Sequence, residues 1–206
     1  MSNAVNILLA KEKDYIGAKL GMWIFLFTEI FLFGGMFLIY AVYRFEYSFD
    51  FYNSSEHLNL IMGTLNTALL LTSSLTMALS ILAIRKGNKK LSTIFLFITI
   101  ILGILFMVNK YIEWTAEISN GIYPNSPELL QKSKGEILFY GLYFVMTGLH
   151  GLHVLAGIII LSVMLVFVRK DKIRESDFTW LENSGLYWHL VDVIWIFLFP
   201  LFYLAR

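Results

Sequence analysis

The chain has 206 residues, 58% of them hydrophobic and 15% charged, with a net charge of +1 and a mean hydropathy of +0.69. So few charges exclude a soluble domain of this length. The absence of cysteine excludes disulfides, iron–sulfur clusters, thiolate zinc sites and cysteine nucleophiles, and no basic block suits nucleic acid.

The composition therefore points to an all-α integral membrane protein. A helix that crosses the bilayer needs about 20 mainly apolar residues. The N-terminal MSNAVNILLAKEKDY lacks the layout of a signal peptide, so the first span is expected to stay in the mature protein. That span is predicted at 20–43 and carries Glu29, ten residues after Lys19 and about 15 Å into the membrane by helical rise. An acid at this depth normally faces the bundle interior or a polar cavity. Two readings follow: a proton-linked or lipid-headgroup site, or a protonated acid bonded to a neighbouring helix.

The second span is predicted at 58–84, just after His57 in or near an outer loop. Its run LNTALLLTSSLT places Asn66, Thr67, Thr72, Ser73 and Ser74 within a helix, where such groups bond across helices or back to their own carbonyls. The third is predicted at 91–114 and ends on NKYIEW, where Lys110 and Glu113 are spaced for a local ion pair at the interface. A long turn-rich segment follows and holds Pro124 and Pro127.

The fourth span, 136–168, would be about 50 Å long and should tilt or project beyond the bilayer. It contains TGLHGLHVLAG, with His150 and His153 on one face. Gly148, Gly151 and Gly157 around them would let a neighbouring helix approach closely. A metal or haem there needs further ligands, and the remaining histidines are His57 and His189. Interhelical hydrogen bonding is the favoured reading of the pair. The fifth span, 184–205, carries His189 and Asp192 three residues apart on one face. They are read as a structural lock, with a proton relay as the alternative.

Eleven of the 16 Lys and Arg fall on one side of this arrangement, in three clusters: Lys11, Lys13 and Lys19; Arg85, Lys86, Lys89 and Lys90; and Arg169, Lys170, Lys172 and Arg174. The positive-inside rule puts that side and the N-terminus in the cytoplasm. Five crossings then put the C-terminus, with Arg206, outside. The short loops favour antiparallel neighbours and one five-helix domain over residues 1–206.

In order along the chain, GMWIFLFTEIFLFGGMF, LNTALLLTSS, Glu113–Trp114, TGLHGLHV and YWHLVDVIW resemble the segments of subunit III of the haem–copper terminal oxidases, the cytochrome c oxidase family. Glu182, seven residues before His189, also matches. The likeness is to the five-helix bacterial form, lacking the first two of the seven helices of longer members. Thr28 stands where Ser is usual, Lys110 where Gln is usual, and Phe178 where many members have His.

The resemblance implies an accessory subunit of the bacterial inner membrane that is not itself an enzyme. It would bind no cofactor, hold phospholipid, and sustain proton uptake and durability during turnover. The haems and copper would lie in partner chains, with subunit I packed directly against it, subunit II in the complex, and a small subunit IV or a supercomplex beyond. Glu29 would be the buried acid near a lipid or proton-uptake cleft. Asn66, Glu113, His150, His153, His189 and Asp192 would be structural polar locks, and Trp23, Glu182, Trp188 and Trp195 candidate lipid or partner contacts, with packing within the bundle the alternative for Trp188 and Trp195. The Glu29 and Asn66–Thr67 pattern leans towards the cytochrome c oxidase type, with quinol oxidase or nitric oxide reductase subunits as alternatives. Less favoured are a haem b electron-transfer protein using His189 with His150 or His153, and a small transporter coupled through Glu29, for which no inverted repeat is seen.

Overall fold

The computed structural model describes residues 2–204, with side chains from Tyr15 onward. The expected end of the last span at residue 205, Arg206 and the side chains of Lys11 and Lys13 lie outside the described residues. The elements are α1 (Ser2–Glu46), α2 (Ser48–His57), α3 (Leu60–Arg85), α4 (Lys89–Ser119), α5 (Pro127–Leu130), α6 (Lys134–Arg169) and α7 (Thr179–Tyr203). Five are long and apolar enough to cross a membrane: Tyr15–Glu46 of α1, and the whole of α3, α4, α6 and α7.

Most of the helices overrun the predicted spans by a few residues. Hydropathy marks where the apolar side chains stop, whereas the helix ends where a cap stops it. Asn59 caps α3 by accepting from Met62 N at 3.1 Å, Asn88 caps α4 through Leu91 N at 3.0 Å, and Ser133 caps α6 through Glu136 N at 3.2 Å. The turn between α3 and α4 is made by Gly87 at φ +70°, a backbone region glycine adopts without steric cost.

Helix α2 was not expected. Its sequence SFDFYNSSEH is polar, but Phe51, Ser54 and Ser55 share one face and are buried. It lies across the start of α6, where Gly135 faces Tyr47 and Asp50. The ring of Phe51 meets Tyr40 and Phe139 edge-on at 5.3 and 5.4 Å.

α3 packs on α4 and α7, and α6 packs on the same two helices, so these four close a ring. α1 leans on the outside of α6 and α7 and is the least buried span; α7 is the most buried. Trp188 of α7 sits where Gly103 of α4 and Gly157 of α6 leave room: a Cβ at either would lie 2.8 or 2.7 Å from its ring. The three glycines around the histidines therefore differ. Gly157 admits Trp188, whereas a Cβ at Gly148 or Gly151 would meet the nearest atoms at ordinary distances of 3.7 and 4.0 Å.

Candidate functional site

Glu29 and His153, separate features in the sequence, meet across α1 and α6. His153 Nε2 lies 2.9 Å from Glu29 Oε2, and Nδ1 lies 2.8 Å from the Leu149 carbonyl one turn back. That carbonyl fixes the Nδ1–H donor, so Nε2 accepts from a protonated Glu29 or, with the proton transferred, donates to its carboxylate. Tyr187 of α7 donates to the His153 carbonyl at 3.0 Å, and Phe33 packs edge-on against the imidazole at 5.4 Å. The side chains of Glu29 and His153 retain 13% and 16% exposure, so the pair is not fully enclosed by the bundle. A mainly apolar groove of about 840 Å³ runs between the same three helices, past Met22, Phe25, Ala156, Ile160 and Tyr187.

Lys110 and Glu113 form more than a local bridge at the interface; both are buried in the bundle, 4% and 3% exposed. The three N–H donors of Lys110 go to Glu113 Oε2 at 3.1 Å, Tyr143 Oη at 3.0 Å and Tyr203 Oη at 3.1 Å. Both tyrosine hydroxyls donate to Glu113 Oε1, that of Tyr143 at 2.7 Å. The ammonium lies 4.9 Å from the centre of the Tyr143 ring and 5.5 Å from that of Trp195. α4, α6 and α7 are joined here by a cluster in which each charge has its partners, the condition under which a buried pair holds rather than disrupts.

The hydroxyl-rich stripe of α3 faces α7. Ser73 Oγ accepts from Trp188 Nε1 at 3.0 Å, Thr67 Oγ1 accepts from Trp195 Nε1 at 3.0 Å, and Ser74 Oγ shares a 2.7 Å bond with His189 Nδ1. The expected His189–Asp192 pair is corrected: the imidazole turns to Ser74, and neither carboxylate oxygen of Asp192 has a hydrogen-bond partner of normal geometry.

The polar-lock reading of His150 is also corrected. Its ring sits between Phe106 and Trp195, at centroid distances of 5.6 and 5.2 Å, and neither nitrogen bonds to a described residue. A three-residue offset turns it away from the face that His153 presents to α1. Asn66, fully buried, likewise bonds through neither side-chain atom.

At the basic end of the bundle, Glu182 of α7 binds Lys19 of α1 at 3.2 Å and Arg85 of α3. Trp23 lines the groove beside them. Trp188 and Trp195, for which the sequence left open packing within the bundle or contact with lipid or a partner, are buried within the bundle at 0% and 1%. Seven residues apart, two helical turns, they share a face, and both indole N–H groups donate to α3.

Among the described residues, no three His, Cys, Asp or Glu gather as a metal site. The members that the sequence did not single out are Tyr143 and Tyr203, and Ser74 was named there without a partner. Their signal was slight: a lysine in place of the usual Gln, and hydroxyls too common in apolar helices to single out.

Residues 10–205 match the family described as cytochrome c oxidase subunit III. Cytochrome c oxidase subunit 3 of Alkalihalophilus pseudofirmus is 31% identical over 188 residues, covering 90% of this chain and 85% of the relative. A probable quinol oxidase subunit 3 of Staphylococcus saprophyticus is 28% identical over 204 residues, covering 99% and 96%. One of Staphylococcus aureus is 27% identical over the same span. With five apolar crossing helices, the chain belongs to the cytochrome c oxidase subunit III family and takes that family's non-catalytic accessory place in an oxidase complex of the bacterial inner membrane.

Proposed function

We propose that this chain is subunit III of a haem–copper oxidase that takes its electrons from quinol. The Staphylococcus relatives named for quinol oxidase align with 99% of the chain, the cytochrome c oxidase relative with 90%. That outweighs the lean of the Glu29 and Asn66–Thr67 pattern towards the cytochrome c type. The higher identity of the latter relative, 31%, supports a cytochrome c oxidase as the second reading.

The observation that carries the accessory role is where the polar side chains at membrane depth go. Glu29 to His153, Glu113 to Tyr143 and Tyr203, and Ser74 to His189 each join two or more helices of this chain. Such bonds hold a scaffold in one geometry. The chain packs on subunit I in this reading, with its basic end and N-terminus in the cytoplasm. The groove beside Glu29 and His153 holds a phospholipid and keeps a protonatable pair within reach of the proton-uptake side.

Purification of the tagged chain in mild detergent tests this. Partner subunits and a haem spectrum are expected, with oxygen consumption driven by a quinol and not by reduced cytochrome c. Activity with cytochrome c alone would move the assignment to the second reading. Stoichiometric haem on the isolated chain would overturn the accessory role. Glu29→Ala is expected to shorten the turnover lifetime of the complex and lower its retained lipid. Unchanged lifetime, proton pumping and lipid together would remove Glu29 from the function.

A further inference from the structure

The axis of the four-helix ring carries two polar side chains that bond to no other residue. Asn66 of α3 and His150 of α6 are both 0% exposed, and neither has a side-chain hydrogen-bond partner among the described residues. Both point to the axis at one level. Asn66 stands two turns before Ser73, on the same face. Ser73 accepts from Trp188, whose ring lies between Gly103 of α4 and Gly157 of α6. The bond from Trp195 to Thr67 sets the neighbouring Asn66 at the level of Trp195. His150 lies 5.2 Å from the Trp195 ring and 5.6 Å from that of Phe106, so it too is held between α7 and α4.

Buried polar groups in proteins are nearly always bonded, and hydrocarbon supplies no partner. An amide offers two N–H groups and a carbonyl, and an imidazole offers an N–H and a lone pair. α3 and α6 are opposite corners of the ring, each packed on α4 and α7 and not on the other. With both side chains fully buried, no acyl chain and no partner subunit reaches them. Whatever joins them is small and both donates and accepts. A pocket of about 90 Å³ gives room nearby. It is lined by Thr147 and Gly151, which flank His150 on α6, and by Met107, next to Phe106 on α4. At about 30 Å³ per molecule, that volume corresponds to about three waters.

We infer that ordered water is bound on the axis of the ring and bridges the Asn66 amide of α3 to the His150 imidazole of α6. It donates to one and accepts from the other, and so links the two helices that do not pack on each other. The rings of Trp195 and Phe106 wall the site and hold the imidazole towards it. The inference rests on the packing of the bundle alone and does not depend on the electron donor.

The test is X-ray hydroxyl-radical footprinting of the intact complex, which oxidises side chains beside bound water even where bulk solvent does not reach. The readout is the dose-dependent oxidation of Trp195 and Phe106, scaled for intrinsic reactivity and compared with Met77. Met77 is 0% exposed on the same helix as Asn66, and the hydroxyls around it are already paired, Thr76 with Thr99 and Ser80 with Ser92. Oxidation of Trp195 and Phe106 severalfold above Met77 is expected. Asn66→Leu with His150→Phe should lower it to the Met77 level. Oxidation no higher than that of Met77 in the wild type overturns the proposal and leaves a dry core. Oxidation that survives the double variant also overturns it, because other groups would then hold the water. If the double variant does not assemble, density from the wild-type complex decides. An ordered oxygen within hydrogen-bond distance of both side chains supports the site, and none overturns it. Haem content and quinol oxidation are measured on the same preparations, so failure of the oxidase assignment is seen separately.

Discussion

Lys110 shows how a single side chain takes its meaning from three helices. In the sequence it is a basic residue three before an acid, and the expected outcome is a local pair. In the structure its ammonium is enclosed by Glu113, Tyr143 and Tyr203. Removing one member of a buried, bonded charge pair costs about 3–5 kcal/mol because the other is left uncompensated. Lys110→Met is therefore expected to lower unfolding stability in detergent by about that amount. Lys110→Met with Glu113→Gln should recover part of it, since two neutral groups replace a stranded charge. Lys110→Gln, the residue usual in the family, should be milder than Lys110→Met. Glu29 and His153 could each be singled out from the sequence, as an acid and an imidazole at membrane depth. Their pairing could not, because they are 124 residues apart and meet through the way α1 lies on α6.

At the scale of the element, the five crossings were readable because bilayer thickness imposes a length and the hydrocarbon imposes a composition. α2 was not, since its burial rests on three side chains packed under neighbours distant in sequence. The glycines of α6 divide in the same way. Gly157→Ala would put a Cβ 2.7 Å from the Trp188 ring and should destabilise by about 1–3 kcal/mol through overpacking. Gly148→Ala, with 3.7 Å to its nearest neighbour, should be close to neutral. Thermal unfolding of the two variants in one detergent separates them. Equal losses would mean that the glycines serve helix approach generally and not the seat of one indole.

For the whole molecule, the basic residues divide the two ends of the bundle strongly enough for a topology to be tested directly. The chain has no native cysteine, so a single introduced one reports its own side. Lys86→Cys, in the turn between α3 and α4, is expected to resist an impermeant thiol reagent added outside intact cells and to react after permeabilisation. Asn125→Cys, between α4 and α5, is expected to react at once. The reverse pattern would invert the proposed orientation. α1, little buried by the rest of the chain, presents the face on which another subunit or lipid would lie.

The sequence by itself determined the solvent of this protein, its number of crossings and its family. Each depends on composition over about 20 residues or on side chains close together in the chain. Tertiary structure alone decided which polar groups became partners. It gave His153 to Glu29, His189 to Ser74 rather than Asp192, and His150 to the aromatic faces of Phe106 and Trp195. The reason is geometric. Residues three apart on a helix point in directions tens of degrees apart, and at membrane depth that difference decides which neighbouring helix each one meets.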